Sequence, residues 1–197
     1  MHDVFLAKLS KAIRTFMTES QCVDTINHVR NAVKNTWETY EATHRSFKKK
    51  RKTDMEVDEP QPQPGFSEDE AEAAVVFALV SRLASVVLSS LPTQSLSAAT
   101  LEQVRASVLD FRSEVVHHAL LKCLKALKNK KGKEEDTWPI EVCLSGILRL
   151  LYAMNVSKNL SLPSGVDVYS KLKDLLTGSD LLPELVVEVV STWLLSF

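Results

Sequence analysis

Apolar residues recur every three or four positions over most of this chain, and each such run is bounded by a proline, a capping residue or a block of charge. That period marks one-sided helices. The first run predicts a helix from about Asp3 to Met17, with Phe5, Leu9, Ala12, Ile13 and Phe16 on one face. The second, from about Gln21 to Phe47, sets Cys22, Ile26, Val29, Val33, Trp37, Tyr40, His44 and Phe47 on one stripe, so the two should form an antiparallel hairpin. From Lys48 to Gly65 the pattern stops. A basic run, an acidic run and alternating prolines predict a disordered linker there. Order resumes at Ser67, where Ser67 and Glu70 have capping-box spacing, and a third helix should run to about Ser90, ahead of Pro92. A fourth begins near Ser97, with Thr100 and Gln103 as an alternative capping box, and carries Leu101, Val104, Val108, Phe111 and Val115 on into Leu120, Leu121, Leu124 and Leu127. It is long and is expected to bend near His117. Lys128–Asp136 reads as a charged loop, after which Thr137 as cap and Pro139 in an early position start a fifth helix to about Met154. A shorter helix near Val166–Leu176 and a last one from about Asp180 complete the pattern.

Five glycines and the absence of Asn-Gly or Asp-Gly turns leave little room for hairpins, so the fold class is all-α. Its form is either an irregular helical bundle or a short HEAT-like α-solenoid with a disordered internal linker, and no sequence repeat of ~40 residues selects between them. The organisation read from the pattern is an N-terminal helical hairpin over 1–47, a disordered basic/acidic linker over 48–66 and a C-terminal helical domain over 67–197. The last helix, LLPELVVEVVSTWLLSF, is apolar around most of its circumference and makes Trp193, Leu194, Leu195 and Phe197 a candidate partner interface. Such a helix is central to its domain, or pairs with a partner, or marks the chain as a short relative of a longer stacked-helix protein whose next repeat is missing.

Composition narrows the function classes. The chain of 197 residues is 45% hydrophobic with a formal net charge of -1, enough to bury a core and without overall attraction for nucleic acid, so any basic surface must be local. Cys22, Cys123 and Cys143 are far apart and odd in number, which fits small buried residues in a reducing compartment rather than a disulfide framework or zinc module. The first sixteen residues carry Asp3, Lys8, Lys11 and Arg14, a poor export signal. The stretch Ala73–Leu91 is the most membrane-like, but Arg82 at its centre favours a buried helix and no membrane contact.

His117 and His118 are adjacent and point about 100° apart on a helix, the wrong spacing for one metal. No nucleophile triad, phosphate-binding glycine loop or H-E-x-x-H helix can be composed, so the expectation is no enzyme, no cofactor and no metal. Thr53 and Ser67 precede acidic residues as acidic-directed kinase sites do, although Ser67 is adequately explained as a helix cap. A lysine cluster, Lys122, Lys125 and Lys128 with Lys130, Lys131 and Lys133, suits a helix C-terminus and is a candidate RNA contact, with no interleaved aromatic residue to stack on bases.

The run Lys48, Lys49, Lys50, Arg51 and Lys52 resembles the classical single-cluster nuclear localisation signal, with Lys49, Lys50 and Lys52 on its K-K/R-x-K/R pattern. The resemblance implies importin-α as a partner and the nucleus as the address. That receptor takes an extended chain whose cationic side chains alternate into acidic pockets between aromatic platforms. Irregular helical pairs, an internal basic/acidic linker and a lysine-rich loop together also resemble, diffusely and without a diagnostic motif, the Urb/Npa-type nucleolar helical scaffolds. That second resemblance implies a scaffold in pre-60S ribosome biogenesis, with protein partners in a pre-ribosomal particle. The competing reading is a direct nucleic-acid binder using both lysine clusters.

Overall fold

A computed structural model describes residues 2–54, 66–130 and 137–156, with 173 and 190 as isolated helical positions. Every regular element among the described residues is helical: α1 (His2–Phe16), α2 (Glu19–Asp54), α3 (Glu68–Ser90), α4 (Ala98–Phe111), a π segment (Arg112–Val116), α5 (His117–Lys130) and α6 (Trp138–Val156). The fold is all-α. The expected helices at 166–176 and 180–197 lie outside the described residues, and with them the candidate interface at Trp193, Leu194, Leu195 and Phe197.

Local chemistry explains most helix boundaries. The Ser67 hydroxyl accepts from the Glu70 N–H at 3.1 Å and opens α3. Leu91, which precedes Pro92, turns to an extended backbone with ψ 135° and ends it. Ser97 caps α4 through the Thr100 N–H at 3.3 Å. Thr137 stands ahead of α6, where its carbonyl accepts from the Ile140 and Glu141 N–H groups at 3.0 and 3.1 Å. The Thr137 hydroxyl donates instead to the Glu141 carboxylate at 2.5 Å. The π segment falls just before His117, where a bend was expected. Its wider turn adds a residue, so that the adjacent Val115 and Val116 are both buried before the stripe continues at Ala119, Leu120 and Cys123.

Two expectations about individual helices change. Helix α2 does not stop at Phe47 but continues to Asp54, so Lys48–Lys52 has a helical backbone and is not part of a disordered linker. Lysine and arginine are good helix formers, and cations near a helix C-terminus oppose its dipole favourably. A helix therefore needs no apolar residue to extend past the core. On α1 the buried residues are Leu6 and Ile13, while Phe5 and Phe16 are exposed, so its core-facing side is rotated from the one predicted.

Side-chain pairs fix the helix directions. Trp37 meets Phe77 edge-on at 5.3 Å, and Nδ1 of His44 lies 2.5 Å from Oε1 of Glu70, so α2 and α3 run antiparallel. Glu19 accepts from the Ser97 N–H at 2.9 Å, Arg30 faces Glu114 at 3.9 Å, and Lys122 reaches Glu41 at 2.9 Å; α2 thus runs parallel to α4 and α5. Phe66 stacks on Trp138 at 5.9 Å, which sets the starts of α3 and α6 side by side. Helix α3 is the central element, contacting α6 most extensively, then α2, then α1. The helices before and after residues 55–65 share one core, where the sequence suggests two separate blocks. The α2 stripe behaves as predicted: Cys22, Ile26, Val33, Trp37 and Tyr40 are all buried.

Helices α3 and α6 approach closely at Gly146. A Cβ built on Gly146 would stand 3.1 Å from the Ala78 Cα and 3.1 Å from the Ser81 Cβ. Only a residue without a side chain lets the two backbones come this near.

Candidate functional site

Three regions hold groups that could act on something outside the core. The first is a buried polar belt where α2, α3, α5 and α6 meet. Tyr40 lies 5.5 Å from the Trp37 ring and stacks on His44 at 5.8 Å. Its hydroxyl hydrogen-bonds the sulfur of Cys143. Burial is the main cause that pushes the Tyr40 hydroxyl and the Cys123 and Cys143 thiols well above their ordinary values. A thiol acts as a nucleophile only as thiolate, so these sulfurs are held in the unreactive form. Glu70 is only 2% exposed, and the imidazole of His44 donates to its carboxylate. The belt is an internal brace joining α2 to the first turn of α3. No group of three or more His, Cys, Asp or Glu among the described residues could hold a metal ion.

The second region is the outer face of α3. Ala74, Phe77, Ser81, Ala84 and Leu88 are buried on the inner face. On the other side Val75, Val76, Leu79 and Leu83 are exposed by 38%, 42%, 46% and 39%. These four positions lie within about 100° of helix circumference and centre opposite the buried set. They form a contiguous apolar stripe rather than scattered surface residues. By length and composition α3 and α6 could each cross a membrane, but α6 is 67% buried within the fold and α3 is packed on its inner face by α2 and α6. Trp138 and Tyr152 on α6 are 38% and 43% exposed.

The third region is the end of the molecule where α2 and α5 finish. Burial pushes the Glu41 carboxyl up, but the hydrogen bond and charge of Lys122, joined by Arg45 and His118, outweigh it and hold the group below its ordinary value. This pair ties α5 to α2 at a fixed level. Beyond it both helices continue in the same direction, α2 to Asp54 and α5 to Lys130. Lys122, Lys125 and Lys128 are exposed along α5. Lys131 and Lys133 lie outside the described residues. The structure therefore brings to one end the helical run 48–52 and the α5 lysines, which the sequence presents as two unrelated clusters. His117 is half-buried, and desolvation followed by the charge of Arg112 holds it below its ordinary value, whereas His118 is exposed.

Sequence reasoning missed the pairing of His44 with Glu70, although both signals were present: a histidine on the apolar stripe of α2 and a glutamate in the first turn of α3. It missed the open face of α3 because Ala73–Leu91 is apolar all round, and periodicity then selects no side. Comparison of the chain with protein-family models, with curated proteins and with solved structures finds no match.

Proposed function

We propose that this chain is a non-enzymatic helical scaffold of the nucleus that presents the outer face of α3 to a protein helix within a larger assembly. The observation that carries the reading is the stripe of Val75, Val76, Leu79 and Leu83, an apolar surface on the opposite side of a helix whose inner face is already satisfied. Its spacing of one, three and four residues suits an amphipathic partner helix laid along it, the mode in which anchors at i, i+3, i+4 and i+7 supply the contact. Stacked-helix scaffolds use such faces to receive the next layer.

Desolvation holds the buried Cys123 and Cys143 thiols protonated, so these two sulfurs offer no nucleophile. The nuclear address rests on Lys48–Lys52 and its resemblance to the signal read by importin-α. Because the run ends a helix, the receptor would have to unwind its last two turns, a small demand at a helix terminus where opening costs little. The diffuse likeness to Urb/Npa-type scaffolds narrows the assembly to a pre-60S particle and the compartment to the nucleolus.

Affinity purification of the tagged chain from nuclei, with mass spectrometry, tests both parts. Recovery of ribosome-assembly factors by the wild type, and loss of nuclear accumulation in K49A/K50A, are the expected results. Recovery of a chromatin or transport complex, or a wild-type chain excluded from the nucleus, would sink the reading.

A further inference from the structure

We propose that the ends of α2 and α5 form one composite surface that binds the phosphodiester backbone of nucleic acid. This does not depend on the outer face of α3, and it shares with the scaffold reading only the run Lys48–Lys52, read there as the nuclear address. The Glu41–Lys122 ion pair, at 2.9 Å, sets the two parallel helices level with each other. Eight residues further along each, about 12 Å by helix geometry, lie Lys49 and Lys130. Positions 41, 45, 48 and 52 of α2 fall within about 60° of circumference, on the face that Lys122 approaches.

Charge on these two stretches has a single sign. Between residues 42 and 53 α2 contains no acidic residue, and α5 contains none over His117–Lys130. The carboxylate within the surface, Glu41, is engaged by both Lys122 and Arg45, the latter at 3.2 Å. The acidic first turn of α3, with Glu68 and Asp69, lies at the same end but on the His44 side of α2, about 60° around from the Glu41 face. A 12 Å length of duplex presents about seven phosphates, so two cationic helices of that length can meet several at once. With no aromatic residue between the lysines, the surface reads backbone charge and not base identity. The net charge of -1 confines the attraction to this end and makes it steeply salt-dependent.

The test is fluorescence anisotropy of the full chain with mixed-sequence 12-nucleotide RNA and DNA, at 50 and 200 mM KCl. The wild type should bind one oligonucleotide per chain. Engaging about five phosphates of a single strand, it should lose about a hundredfold in affinity over that salt range. K122Q/K125Q/K128Q and K49Q/K50Q/K52Q, each checked for unchanged helicity, should both weaken this one site and lower the log–log salt slope by about 2. Equal affinity for RNA and DNA supports recognition of the shared backbone, and tighter binding of RNA names RNA as the ligand. No binding at 50 mM KCl, two oligonucleotides bound per chain, or an α5 variant that binds as the wild type does would overturn the proposal.

Discussion

Along α3 the inner face, with Ala74, Phe77, Ser81, Ala84 and Leu88, and the outer face, with Val75, Val76, Leu79 and Leu83, are both largely apolar, yet among the described residues only the first is covered. The difference lies in what each side meets. The inner face carries small residues where α6 must approach and a carboxylate where α2 supplies a donor, so its shape is matched to its neighbours and Glu70 to its partner. The outer face carries branched residues with no small residue among them and with Arg82 at its edge. It is a generic apolar surface, not shaped to a close neighbour among the described residues.

The largest expected effect is at the polar contact of the inner face. Removing the imidazole in H44A leaves Glu70 buried without its donor, which should destabilise the fold by about 3 kcal/mol or more in chemical denaturation. A loss below about 1 kcal/mol would mean that the inner face is not matched at this position. Next comes G146V, whose side chain must enter the space 3.1 Å from the Ala78 Cα and Ser81 Cβ. Overpacking of this kind should cost about 1–3 kcal/mol. An unchanged midpoint would show that α3 and α6 can part without penalty and would erase the contrast with the outer face.

The smallest effect has the opposite sign. The Ser81 hydroxyl is buried and has no hydrogen-bond partner among the described residues. In S81A the unsatisfied hydroxyl is gone and helix propensity improves, so the protein should gain about 1 kcal/mol. In a chain of this size that raises the melting temperature by roughly 2–4 °C. A fall would mean that the hydroxyl is used.

These contrasts also mark how far the sequence could be read. Ser67 and Ser97 announce α3 and α4 through their capping spacing, and the three- and four-residue period of α2 names its buried stripe from Cys22 to Tyr40. Local signals of that kind depend on a few neighbouring residues. The extension of α2 through Lys48–Lys52 was hidden because a charge run ends an apolar pattern without ending a helix. Which side of α3 finds a neighbour, and that α5 stands beside α2, depend on tertiary contacts spanning tens of residues, as the 2.9 Å Glu41–Lys122 pair does. Periodicity carries no information on them.

As proposed, the outer face of α3 serves contact and not folding. The most direct measurement is recovery of co-purifying nuclear proteins by L79E/L83E beside the wild type, with thermal melting of both chains as the control for folding. The account predicts a melting temperature unchanged within about 2 °C, because exposed substitutions away from special features shift stability by about 0.5 kcal/mol or less. It predicts loss of the ribosome-assembly factors that the wild type recovers. Full recovery by L79E/L83E, or a variant that no longer folds, would contradict it.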